Sequence, residues 1–249
     1  MYLHLQNIGM KKLLITSIVF CLAFAKADLA HAQSLRPVTG TEIIKKSIAY
    51  HDPNGHWPTF KGEFTLSLEM PEKAARKSVI TLDIPNEYFN LTTEQDGDAS
   101  FREISNDTCK YTAEAGEVIT TTTDSDECER TRMYRDYYSY LYGLPMKLND
   151  PGTQIDPTVK NVTFKGKKYI VVKVTYDEAV GSDVWQFYFN PSTYALEVYQ
   201  FFKGTDETTG EYILLDDIAV IEGIKMPKNR AWYYNKDDGY LGTDILIED

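Results

Sequence analysis

Two histidines flank the turn His51-Asp52-Pro53-Asn54-Gly55-His56, and with Asp52 between them they are the first residues whose types could hold a metal ion. A structural or catalytic zinc needs at least one more ligand at a compatible spacing, and none follows. The segment reads as a solvated turn with no metal. Cys109 and Cys128 are the next candidates. A catalytic thiol needs an activating environment, and no Gly-x-Ser-x-Gly elbow offers a serine in its place. The pairs Asp216-Asp217 and Asp237-Asp238 could serve acid–base chemistry, but neighbours on a strand point to opposite faces. They read as loop and edge solvation. Asn235-Lys236-Asp237-Asp238-Gly239 lacks the ligand alternation and closing Glu of a calcium loop. The expectation is a protein that is not an enzyme and carries no cofactor.

What remains is a binding surface, and its residues are apolar. In the stretch Asp183 to Arg230, a four-residue hairpin loop at Asn190-Pro191-Ser192-Thr193 would set Phe189 opposite Tyr194, Phe187 opposite Leu196 and Trp185 opposite Val198. Gln186 and Glu197 would then meet on the other, partly polar side. Upstream, Asp124-Ser125-Asp126-Glu127 has a capping residue three positions before a Glu, and no breaker follows until Gly143. On that helix Met133, Tyr137, Tyr140 and Leu141 make one stripe, with Tyr134, Tyr138 and Tyr142 beside it. A helix this aromatic lies against or inside another apolar surface. The candidate ligand-binding residues are Met133, Tyr137, Tyr138, Leu141, Trp185, Phe187, Phe189 and Leu196. The same residue types serve equally as plain core packing, so core alone and core plus ligand cavity both stand.

The other elements follow from periodicity. Thr39-Gly40-Thr41-Glu42 has the capping-box form, with Ile43, Ile44 and Ile48 at helical spacing, which predicts a short helix over 40–50. Phe64, Leu66, Leu68 and Met70 alternate with polar residues as in a half-buried strand. Turn signals at eight- to twelve-residue spacing predict further strands at 77–84, 87–93, 100–105, 108–113 and 116–122, and after the aromatic helix from residue 160 to residue 247. That is a meander.

Residues 10–32 read as a secretory signal: Lys11-Lys12, an apolar run from Leu13 to Ala25, and Ala30-His31-Ala32 as the cleavage site. Met10 is the expected start and Gln33 the first mature residue. Cys21 leaves a lipoprotein signal as the alternative, against which Phe20 stands where a small residue is wanted. No later run is apolar for the roughly 20 residues that span a bilayer. The expected mature chain, residues 33–249, is one domain with 23 Lys and Arg against 36 Asp and Glu, a formal charge of −13. Such a charge repels phosphate backbones, and nucleic acid is excluded as a partner. In an oxidising compartment, periplasmic or extracellular, Cys109 and Cys128 are expected as a disulfide, two buried thiols being the alternative.

Two resemblances add to this. Phe187-Tyr188-Phe189-Asn190-Pro191-Ser192-Thr193-Tyr194-Ala195-Leu196 resembles the aromatic strand, D-P-x-T turn and returning strand of the LolA/LolB/LppX-like lipoprotein-carrier superfamily, and Glu222-Gly223-Ile224-Lys225-Met226-Pro227 resembles its later Gly-to-Pro segment. The whole chain is also similar to an uncharacterised family of exported Bacteroidota proteins, through Tyr50-His51-Asp52-Pro53, Tyr142-Gly143-Leu144-Pro145-Met146 and Tyr240-Leu241-Gly242-Thr243-Asp244. The first resemblance implies an α+β fold, mainly antiparallel β: a strongly curved, unclosed half-barrel, here of about eleven strands, with an N-terminal and an internal helix covering its concave face. It implies an exported carrier of a lipid, acyl chain or lipoprotein. The alternative is a structural or interaction protein of the cell envelope, with a self-filled core and an envelope protein as partner.

Overall fold

A computed structural model describes residues 37–247, apart from 107, 114–117, 122–124 and 205, and of residues 118–121 the backbone alone. The expected signal peptide and the expected helix cap Asp124 lie outside the described residues.

Thr39 opens α1 (Gly40–His51) with the capping box the sequence predicts: its Oγ1 accepts from the Glu42 amide at 3.3 Å, and the Glu42 carboxylate accepts from the Thr39 amide at 2.9 Å. The first half of the sheet then runs β1 (Lys61–Glu69), β2 (Arg76–Asp83), β3 (Tyr88–Gln95), β4 (Asp98–Ser105), β5 (Thr108–Ala113) and β6 (Val118–Thr121). Next comes α2 (Asp126–Gly143), capped by Ser125 one residue beyond the expected Asp124, its hydroxyl accepting from the Cys128 amide. The second half is β7 (Thr153–Phe164), β8 (Lys167–Tyr176), β9 (Val184–Phe189), β10 (Leu196–Phe202), β11 (Glu211–Ile221), β12 (Ile224–Tyr234) and β13 (Tyr240–Ile247).

Among the described residues thirteen strands make one sheet, in the order β6-β5-β4-β3-β2-β1-β13-β12-β11-β10-β9-β8-β7. That is two more than the eleven or so expected, in the predicted unclosed, curved α+β architecture. The first six strands step outward from β1 to one edge, and the next strand of the chain lies at the opposite edge. The connection therefore has to cross the sheet, and α2, 18 residues or about 27 Å long, makes that crossing over one face. Its Tyr138 stacks near Phe89 of β3, its Tyr142 on Phe64 of β1 and its Tyr140 against Trp185 of β9.

The expected hairpin register is corrected. Leu196 pairs with Phe189, Tyr199 with Phe187 and Phe201 with Trp185, while Gln186 meets Gln200 and not Glu197. The loop is longer than four residues, with Tyr194 left-handed at φ 62° and Asn190 accepting from its amide. A bulge between Leu196 and Val198 then inserts one extra residue. Because side chains alternate with period two, one inserted residue exchanges the faces downstream. Tyr199 joins the concave core, and Val198 goes to a second cluster on the convex face with Tyr169, Val171 and Tyr188.

Two ties hold the start of α2 to the sheet. Cys109 of β5 is bonded to Cys128, as expected. Beside it Arg102 of β4, 6% exposed, donates from Nη1 to the Glu127 carboxylate at 2.7 Å and lies over the Tyr111 ring. For a loop closed across 19 positions, the chain-entropy argument gives the disulfide about 3 kcal/mol. Urea unfolding of the Cys109→Ala/Cys128→Ala variant should show that loss, and thiol labelling of the unfolded, unreduced parent should find no free cysteine among the two.

Candidate ligand-binding site

The predicted site residues separate into three groups. Tyr138, Leu141, Phe187, Phe189 and Leu196 are 2%, 5%, 0%, 0% and 3% exposed and belong to one continuous concave core. Trp185 is half-buried at its margin, stacked on Phe187 at 5.9 Å. Met133 and Tyr137 are 56% and 39% exposed. Met133 does not join the others, while Tyr137 stacks on Trp232 at the rim, with ring centroids 6.4 Å apart. A stripe drawn at helical spacing on a helix aromatic all round does not say which arc faces the sheet; burial of Cys128, Thr131, Tyr138, Leu141 and Tyr142 does.

Beside this core lies a cleft of about 620 Å³, between the C-terminal half of α2, the segment 147–153 and the ends of β8 and β9. Its volume is in the range of small-molecule sites. Trp185 is the predicted residue that lines it; the other aromatic walls are Tyr140 and Tyr176. The hydroxyls of Tyr140 and Tyr176 are hydrogen-bonded to each other. Burial pushes Tyr176 up to about 12 and Tyr140 well above its ordinary range, so both phenols stay neutral. Sequence reasoning missed this cleft, since Tyr176 ends a strand and Val180 to Asp183 form the loop after it.

The concave face also holds a polar layer. Arg230 of β12 is 1% exposed, donates from Nη1 to the Pro227 carbonyl at 2.8 Å and places its guanidinium 3.7 Å from the centre of the Tyr142 ring. Asp244, opposite it on β13, accepts from Trp232 Nε1 at 3.0 Å. Burial holds the Asp244 carboxyl above its usual range, against the pull of Arg230. The sequence carried this signal only in part: Ile224, Met226, Lys228, Arg230 and Trp232 share one parity of the strand, and the fold buries Arg230 but not Lys228. The Tyr142 hydroxyl has no hydrogen-bond partner among the described residues. Tyr142→Phe should therefore keep the ring over Arg230 and change stability by less than about 1 kcal/mol, checked by urea unfolding.

His51 is not in a solvated turn. It is fully buried, accepting at Nε2 from the Leu196 amide at 3.0 Å, so its Nδ1 proton goes to the Lys225 carbonyl at 2.7 Å. Asp52 next to it accepts from the amides of His56 and Trp57, both at 2.8 Å. His51 is thus a structural clasp between α1, β10 and β12, and Asp52 caps the turn that follows it. Tyr142-Gly143 ends α2 against Trp57, whose ring would stand 2.2 Å from any Cβ at Gly143. Among the described residues no three His, Cys, Asp or Glu side chains are grouped to hold a metal, and no helix is long and apolar enough to cross a membrane.

A family model described as a family of unknown function, DUF6503, matches residues 30–249. The chain belongs to DUF6503. No curated protein matches it. The DUF6503 chain is similar in structure to a LolA superfamily protein, NE2245 from Nitrosomonas europaea, at 12% identity and a TM-score of 0.51, covering 85% of this chain and 93% of that one. A DUF1329 family protein from Desulfovibrio piger aligns at 8% identity with a TM-score of 0.49, over 85% and 92% of the two chains. The first likeness shows a shared LolA-like fold.

Proposed function

We propose that the chain is an exported, periplasmic or secreted, binding or carrier protein for a hydrophobic ligand: a lipid, an acyl chain or the acyl part of a lipoprotein. The observation that carries the reading is the cleft of about 620 Å³ that opens beside α2 onto Trp185, which is itself stacked on the apolar concave core through Phe187. An acyl chain entering there leaves water on one side and meets aromatic carbon on the other, a gain of about 0.8 kcal/mol for each buried methylene. The LolA-like fold supports the reading, and no catalytic role is assigned. The envelope structural protein with an envelope partner stands as the rival, because Tyr138, Leu141, Phe187, Phe189 and Leu196 pack as a filled core.

Native mass spectrometry of protein purified from its own periplasm, without detergent, should find a co-purifying lipid. Uptake of the uncharged fluorophore N-phenyl-1-naphthylamine should follow the cleft. Val180, 59% exposed at its mouth, is the residue to alter. Val180→Asp is expected to weaken uptake at least about fivefold while changing stability by no more than about 0.5 kcal/mol. Absence of any bound lipid, together with no uptake by the parent protein, would end the carrier reading.

A further inference from the structure

The charges around the cleft select among amphiphiles. Among the described residues its mouth carries three carboxylates, Asp136, Asp150 and Asp183, against the one ammonium of Lys147, and no other Lys, Arg or His lines it. Asp150 is paired with Lys147, and Asp136 accepts from Arg135 Nε at 2.9 Å on the outer surface of α2. Asp183, on the loop leading into β9, has no hydrogen-bond or ion-pair partner among the described residues, and it stands two residues from Trp185. Neutral phenols at Tyr140 and Tyr176 present aromatic rings to the same space.

Resting on the carrier reading, we propose that the cleft takes an amphiphile with a cationic head, a primary or quaternary ammonium. The head would lie between the Asp183 carboxylate and the aromatic walls of Trp185 and Tyr140, and the apolar tail would lie within the cleft along Trp185 and Tyr176. Such a head gains from the free carboxylate and from the π-faces together, the combination that recognises ammonium groups elsewhere. A carboxylate head in the same place would face Asp183 and find no unpaired cation, since Lys147 is already engaged by Asp150. The Coulomb difference between the two heads, screened at the protein surface, corresponds to about tenfold in affinity at low salt, shrinking as ionic strength rises.

The test is displacement of N-phenyl-1-naphthylamine at pH 7.5 by dodecyltrimethylammonium, dodecanol and dodecanoate, each below its aggregation concentration. The cation should bind about tenfold more tightly than dodecanoate, with dodecanol between them, and 1 M NaCl should compress the spread. Asp183→Asn should cut the cation-to-anion ratio at least about threefold and leave dodecanol unchanged. Asp98→Asn, which removes an exposed carboxylate at the start of β4 outside the cleft, should move nothing. Dodecanoate binding as tightly as the cation would overturn the inference, as would equal effects of Asp183→Asn and Asp98→Asn. Failure of all three compounds to displace the probe or bind would instead bring down the carrier reading beneath it.

Discussion

His51→Ala is expected to lower the unfolding free energy by about 4 kcal/mol at pH 7.5, because it strands two buried backbone groups worth about 1–3 kcal/mol each. Those groups are the Leu196 amide and the Lys225 carbonyl, which the imidazole now joins across α1, β10 and β12. The same side chain predicts a pH dependence. Burial lowers the His51 pKa from 6.5 to about 4, and the nearby charges of Lys225 and Arg230 push the same way. Being depressed in the folded state, the group binds its proton more readily when unfolded. Its contribution is therefore complete above pH 6.5 and is lost as pH falls toward 4, by about 3 kcal/mol in all. Urea unfolding measured from pH 7.5 to pH 4 should show this slope in the parent and a flatter one in His51→Ala. Equal slopes in the two proteins would mean that His51 is not the titrating group.

Leu141→Ala decides between a helix that merely covers the concave face and one that fills it. Leu141 is 5% exposed and packs in the same cluster as Phe187, Phe189 and Leu196. Truncating it should cost about 2–5 kcal/mol, the spread reflecting how far neighbours can collapse into the space. If the ligand occupies the cleft beside the helix, uptake of N-phenyl-1-naphthylamine by the folded variant should stay within about threefold of the parent. A loss of uptake with little loss of stability would move the binding site under α2 and into the core. A large stability loss with no uptake even by the parent would favour the structural protein.

Much of the secondary structure was legible in the sequence because it is governed by near neighbours. The capping box at Thr39 and Glu42, the alternation from Phe64 to Met70 and the unbroken run up to Gly143 each report a local period or cap. The compartment argument for Cys109 and Cys128 also led to the right bond. The register of β9 and β10 was not legible, since one bulged residue at Glu197 reverses the faces and leaves no mark in a pattern of mixed aromatics and aliphatics. His51 shows the same limit. A histidine beside Asp-Pro-Asn-Gly looks like turn surface until β10 and β12, some 145 and 174 positions away, close over it.

By itself the sequence determined that this chain is an acidic antiparallel meander interrupted by one aromatic helix, because composition, caps and two-residue periods act within a few positions. Only the tertiary structure decided which side of that helix is core, where the cleft opens and which carboxylate at its mouth has no partner among the described residues. Those depend on β6 and β7 lying at opposite edges, which sends α2 across the concave face, and on contacts between residues such as Tyr140, Tyr176 and Trp185 that no local spacing relates.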